Sequence, residues 1–394
     1  MYLNDSHVVR DRRRRRLRLW LLLALAYASV ALAWYNKQRD VPFFVEAPTP
    51  TVEVVVDETL TEYQEILARG DLYFQQGNLT AALESYQEAV AADPEQAIAY
   101  ARWAKLLNLR YKTDEALIRS ERAITLAPDD VEVLGARVMS LTWDGQFPAA
   151  IELAQRALTL DPNSGEIHAF LAEAFMDSDV FTDAYNNAEE AVGLEPDNVW
   201  TWLNMGYVNE SLGYHAEALA AYQQGIDIAP LSYLYNSMGR LYLYNAELND
   251  IDAAIAAFQE AVYVDPRNPE AYAELSNLYM GQEDPANAKL YALQGIEQDA
   301  SFARNHALLG QLYYQELNFE GAVSSLEQAV NFGYENPTTY VYLGLAHAYL
   351  DQCDAAVPWL ERALIEIPDS GPAHTGLQIC GIEAPPTAEA PPAP

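Results

Sequence analysis

Alanine recurs through this chain at a fixed spacing: Ala82, Ala116, Ala150, Ala184, Ala218, Ala254, Ala288, Ala322 and Ala356. Every interval is 34 residues except the one of 36 between Ala218 and Ala254. A fixed period of this length marks a repeat array, in which each unit is one supersecondary element. Two further tracks run in step. Twelve residues before most of these alanines lies another small residue (Gly70, Ala104, Ala172, Gly206, Ser276, Gly310, Gly344), with Val138 departing and Gly239 displaced by the insertion. Seven residues after them comes Ala89, Ala123, Ala157, Ala191, Gly225, Ala261, Gly295, Ala329 or Ala363.

Two antiparallel helices approach closely only where small residues face each other, and bulky residues then fill the space alongside. In the first unit Gly70 and Ala82 are placed to make the close contact, Tyr73 and Tyr86 to fill, and Gly77-Asn78 to turn the chain. A proline closes seven units (Pro94, Pro128, Pro162, Pro196, Pro230, Pro266, Pro368), ending the second helix. Such a hairpin leaves an apolar face uncovered, so each unit is stable only when stacked on a neighbour.

These residues resemble the tetratricopeptide repeat (TPR) family over 63–370, in nine units: 63–96, 97–130, 131–164, 165–198, 199–231, 232–268, 269–302, 303–336 and 337–370. Ala300 and Tyr334 replace the closing proline, and Tyr244 to Ile251 carries an insertion. The resemblance implies an all-α fold, a right-handed superhelical solenoid about one turn long, with the first helix of each pair lining a concave groove. Residues 371–381 fit a capping helix, and 382–394 a disordered Pro/Ala-rich tail.

Ahead of the array, 1–16 is a basic N-terminus, 17–35 a single transmembrane signal-anchor helix and 36–62 an extended linker. The seven arginines before the apolar segment put the N-terminus in the cytoplasm and the repeats outside. A cleaved secretory signal, cut near Ala33, is the competing reading. Both export the repeats, and in such stacks Cys353 lies beside the cap, so a Cys353–Cys380 disulfide is expected, contributing roughly 3 kcal/mol.

Residues 41–394 hold 14 Lys and Arg against 54 Asp and Glu. That surface repels phosphate backbones, so nucleic-acid binding is not expected. Two cysteines and six dispersed histidines supply no metal site and no cofactor is implied; His168 and His306 occupy the slot held elsewhere by Trp202 or Tyr340. No GxxxxGK[ST], GxGxxG or GxSxG occurs, and no catalytic residue is assigned.

The groove holds the better candidates. Family register places Trp200, Leu203, Tyr207, Tyr233, Asn236, Arg240, Asn277, Arg304, Gln311 and Tyr314 on the concave side. Rings, amides and guanidinium groups suit an extended peptide; the alternative is that they solvate the groove or pack between units. The expected function is a membrane-anchored, extracytoplasmic scaffold binding a protein or peptide partner, not an enzyme. The other class in play is an envelope enzyme or glycan-processing factor with its active site in the groove. Oligomeric state is open.

Overall fold

The computed structural model describes residues 61–245 and 248–382. The expected membrane segment, its basic flank, nearly all of the linker and nearly all of the tail lie outside the described residues. Among the described residues no helix is long and apolar enough to cross a membrane.

The described chain is a succession of helix pairs. They are α1 (Glu62–Gln75) with α2 (Leu79–Ala92), α3 (Ala97–Leu109) with α4 (Thr113–Leu126), and α5 (Val131–Trp143) with α6 (Phe147–Leu160). Next come α7 (Gly165–Asp177) with α8 (Phe181–Leu194), α9 (Val199–Ser211) with α10 (His215–Ile228), and α11 (Ser232–Tyr244) with α12 (Ile251–Val264). The series ends with α13 (Pro269–Gly281) and α14 (Pro285–Gln298), α15 (Ala303–Gln315) and α16 (Phe319–Asn331), α17 (Pro337–Tyr349) and α18 (Cys353–Glu366), then the single α19 (Gly371–Ile379). The insertion falls between α11 and α12, as its place in the sequence requires.

Local chemistry sets the boundaries. Asp130, Ser164, Asp250, Asp284, Asn318 and Ser370 each accept a hydrogen bond from a backbone N–H of the first turn, satisfying a donor the helix leaves open. Thr61 and Gln64 form a reciprocal capping box at the start of α1. Within a pair, the small residue of the first helix admits a bulky one from the second. A Cβ on Gly70 would lie 2.5 Å from the Tyr86 ring, and Gly206 meets Tyr222, Gly310 Leu326, Gly344 Leu360 and Gly239 Phe258 in the same way. The glycine therefore answers to the ring or leucine that fills the seam, while the periodic alanines are fully buried beside it.

At five junctions a polar ring six residues past the closing position ties the chain. Trp202 Nε1 donates to the Pro196 carbonyl at 2.7 Å and the Tyr272 hydroxyl to that of Pro266 at 3.0 Å. His168, His306 and His374 make the same contact with residues 162, 300 and 368. These histidines are structural parts of the repeat. At the far end α19 seals the last apolar face with Ala373 and Leu377, both buried, and the structure joins Cys353 to Cys380 with Cα atoms 5.4 Å apart.

The winding is tighter than one turn in nine units. The turn after α1 reaches the junction closing the fifth pair, where a Cβ on Gly77 would lie 2.3 Å from the Pro230 carbonyl oxygen. The turn after α3 reaches the next two junctions, through Arg110 to Asp265 and Lys112 to Asp299. The coil thus comes back onto itself after four to five units.

Gly77 and Gly145 both have φ near +75°, but nothing lies within 4 Å of a Cβ on Gly145. Gly145→Ala should therefore cost only the left-handed backbone penalty, about 1 kcal/mol. Gly77→Ala should cost that plus about 1–3 kcal/mol for overpacking the coil contact. Urea unfolding of the two variants checks this; equal losses would contradict the contact.

Candidate interaction site

The first helices face one another across the coil, so the inner surface is theirs. Phe74 of α1 stacks on Trp200 of α9, with ring centroids 5.6 Å apart and planes at 17°. Phe170 tilts against the same indole at 5.8 Å, and Lys105 Nζ lies 5.6 Å from its centroid. Trp143 of α5 meets Tyr233 of α11 at 5.7 Å. Tyr111 packs against Trp143 and against Phe302, each at 6.1 Å, and donates its hydroxyl to Glu270.

Ten residues were expected to face a peptide here, and the structure divides them. Trp200, Leu203 and Asn236 are buried at 4%, 2% and 0% exposure. Tyr233 is covered by Trp143, and Arg240 Nη1 donates to Glu270 Oε1 at 2.9 Å while Asn236 donates to the other carboxylate oxygen at 3.2 Å. Tyr207 donates to Asp177. Rings from the opposite side of the coil cover Trp200 and Tyr233 and Leu203 is buried, whereas Asn236, Arg240 and Tyr207 are held by carboxylates of the adjacent unit. The crossing rings follow from the short turn, which sequence register alone did not reveal.

Of the other four, Arg304, Gln311 and Tyr314 lie past the last crossing contact at Phe302, and Asn277 lies before it in unit seven. Arg304 holds Glu274 through two hydrogen bonds, of 2.8 and 3.2 Å. Asn277 donates to the hydroxyl of Tyr244, an exposed ring. Gln311 and Tyr314 are half-buried on α15, and Tyr314 sits among Phe319, Tyr342 and Tyr349. Burial, then the neighbouring Tyr349 hydroxyl, pushes the Tyr314 phenol up to about 12, so it stays a neutral donor. Among the described residues, the ring and ion contacts that cross the coil stop at Phe302.

The interior is charged. A cleft of about 390 Å³ opens between Asp71, Phe74, Arg102, Lys105, Glu166 and Trp200. Its cations are already matched: Lys105 Nζ donates to Glu166 at 2.9 Å with Glu132 at 3.7 Å, and Arg102 bridges Asp71 and Glu132. Burial lowers the Lys105 ammonium pKa, but Glu166 and Glu132 more than offset it, so the net direction is up. Burial would raise Glu132, yet Lys105 and Arg102 take it down to about 2.

Glu173 on α7 has no such cation. Burial first, and then the charge of Asp177, push its carboxyl up to about 8, against a lowering by Trp143; Asp177 moves up too. The sequence offered no sign of this pair, because an acid at that position is common in so acidic a chain. Reading sequence also missed Arg110, Tyr111 and Asp265, although the scarcity of cations was a usable signal.

Comparison with known proteins agrees with the repeat geometry. The family described as "TPR repeat" matches residues 70–107, and that described as "Tetratricopeptide repeat" matches 201–230 and 232–268. The TPR repeat-containing protein YpiA of Bacillus subtilis is 22% identical over 352 residues, 86% of this chain and 78% of that one. The human protein O-mannosyl-transferase TMTC1 is 24% identical over 212 residues, 52% of this chain but only 22% of the relative. The chain spans about a fifth to a third of the length of this relative and of the human mitochondrial import receptor subunit TOM70. In structure, the APC/C hetero-tetramer Cut9–Hcn1 superposes with a TM-score of 0.56 at 14% identity, over 80% of this chain and 75% of that one.

Folded Glu173 keeps its proton to about pH 8, whereas the unfolded chain releases it near 4.5. The folded state therefore loses stability as pH rises from about 4.5 toward 8, by an amount on the order of a few kcal/mol, and Asp177 acts in the same direction. Glu132 has the opposite sign, its contribution being lost as pH falls below its unfolded value toward 2. Glu173→Gln should flatten the decline above about pH 5 and raise the urea midpoint at pH 8. An unchanged pH profile in the variant would overturn the assignment.

Proposed function

We propose that the chain, whose repeats match tetratricopeptide repeat models, is an interaction scaffold, held at a membrane by residues 17–35, whose open inner stripe receives a protein partner. The observation that carries this is the division of the groove. The contacts that cross the coil reach Glu270, Asp299 and Phe302, while Asn277 on the inner stripe, and Gln311 and Tyr314 past Phe302, keep side chains with exposed surface. An amide, a second amide and a neutral phenol offer hydrogen bonds to peptide backbone, and the Tyr314, Phe319, Tyr342 and Tyr349 cluster offers ring area for side chains. Arg304 is a poorer carboxylate anchor, because Glu274 already holds it and is itself 2% exposed.

For location, the reading is a single-pass protein with a cytoplasmic N-terminus and the repeats outside; secretion after cleavage near Ala33 is the other form of it. Two independent features support export. The arginine-rich flank precedes the apolar run, and the bonded Cys353–Cys380 pair belongs to an oxidising compartment.

A photo-crosslinking side chain in place of Tyr314, in the full-length protein in cells, should give discrete adducts that the same group at exposed Glu361 does not. Protease applied outside intact cells should remove the repeats. Identical adducts from both positions would sink the stripe reading, and repeats that stay protected would sink the topology.

A further inference from the structure

The outer surface carries a second feature, independent of the stripe. Neighbouring second helices leave a furrow on the outside, floored by the first helix between them. In several units the chain lays its own cation over a ring there. Arg119 sits 4.1 Å from the centroid of Trp103, Lys289 4.4 Å from Tyr313 and Arg362 4.4 Å from Tyr340. Arg122 reaches back over Tyr100 to Glu95, and Arg156 and Arg362 make the same reach to Asp129 and Glu335.

Between α8 and α10 that pattern fails. The position of Arg122 and Arg156 is Gln224, and the position of Arg119 is Ala221. What remains is a furrow of about 870 Å³ lined by Phe181, Tyr185, Trp202, Met205, Tyr214 and Glu217. Phe181 and Tyr214 are about half exposed, at 49% and 51%, and Tyr185 meets Tyr214 edge-on at 6.5 Å. Trp202 donates its N–H to Pro196 and so is fixed in place, and among the described residues no cation lies over its ring.

The charge of this region is one-sided. No Lys or Arg occurs from 157 to 239, while 165–231 carries twelve Asp and Glu, of which Asp183, Glu190 and Glu217 are exposed. Where a furrow is filled from within, as at Tyr100 and Tyr340, a cation lies over the ring and pairs with a carboxylate at its side. This one has the rings and the carboxylates, and the described residues place no cation over them.

We propose that the furrow between α8 and α10 receives a basic amphipathic segment of a partner protein. Its apolar residues lie among Phe181, Tyr185 and Tyr214, and an arginine or lysine covers Trp202, as Arg362 covers Tyr340. Exposed acids on α8 and α10 steer such a segment toward the furrow.

The test uses the full-length protein in detergent and a fluorescent synthetic helix bearing leucine and one tryptophan on one face and arginine on the other. Gln224→Arg supplies the missing cation from within and should weaken binding about tenfold, while Gln224→Ala leaves it nearly unchanged. A scrambled peptide of the same composition should bind about tenfold more weakly than the amphipathic one. Tyr314→Ala should have no effect, which separates this site from the inner stripe. Equal binding of the two peptides would reduce the effect to general acidity and overturn the proposal, as would full binding to Gln224→Arg or no binding at all. Self-association of the full chain that Gln224→Arg abolishes would place a second copy in the furrow and overturn it equally.

Discussion

The guanidinium of Arg110 fixes where the coil meets itself. It projects from the turn after α3, donates to Asp265 at 2.7 Å, to the Arg267 carbonyl at 2.7 Å and to Thr80 at 2.8 Å, and is buried with its partner. A buried ion pair is costly to desolvate, so its worth lies less in net stability than in specifying one arrangement. An apolar contact could slide along the neighbouring coil; a planar fork that must find one carboxylate and one carbonyl cannot. Tyr111, the next residue, adds a ring and a hydroxyl to the same contact between coils. It occupies the left-handed slot that Gly77, Gly145 and Gly213 take in other units, with φ of 58°. That backbone is unfavourable for a bulky side chain, and the contacts of its ring and hydroxyl with Trp143, Phe302 and Glu270 offset it.

Charge placement makes such winding possible in so acidic a chain. The described residues contain few cations, and many of them turn inward or bridge coils: Arg102, Lys105, Arg110, Lys112, Arg240, Arg304 and Arg267. Like charges wound close together repel, and placing the scarce positive groups between coils removes the repulsion where it is greatest. The outer face is left with its acids, screened by water and salt, and with a furrow between α8 and α10 where, among the described residues, no cation covers Trp202. Interior and exterior recognition thus follow from one allocation of the same few side chains.

Much of the fold is legible in the sequence, because the constraint that makes it is local and repeated. A small residue is needed wherever a ring or leucine fills the seam, so Gly70 and Ala82 recur at a fixed period, and the capping residues and closing prolines mark the ends. The insertion at Tyr244 to Ile251 and the cap at 371 are readable for the same reason. The superhelical turn is not. It accumulates from small rotations at every junction, and no residue encodes it until two coils touch. Trp200 and Tyr233 therefore read as groove residues when each unit is taken alone, and are covered once unit five meets unit one and unit six meets unit three. Arg110 looked unremarkable beside the repeat pattern, since its partner Asp265 lies 155 residues away. Gln224 and Ala221 carry information only by comparison with their counterparts Arg122 and Arg119.

Zero-length carbodiimide coupling tests the return of the coil most directly. Lys112 and Asp299 form an ion pair of 3.2 Å between units far apart in sequence, while Lys289 and Glu316, at 2.7 Å in neighbouring units, serve as the internal control. The tight winding predicts that peptide mapping of the monomer finds both cross-links, and that Arg110→Ala diminishes the first and spares the second. Recovery of the Lys289–Glu316 link alone, with Lys112 joined only to carboxylates of its own or adjacent units, would contradict it.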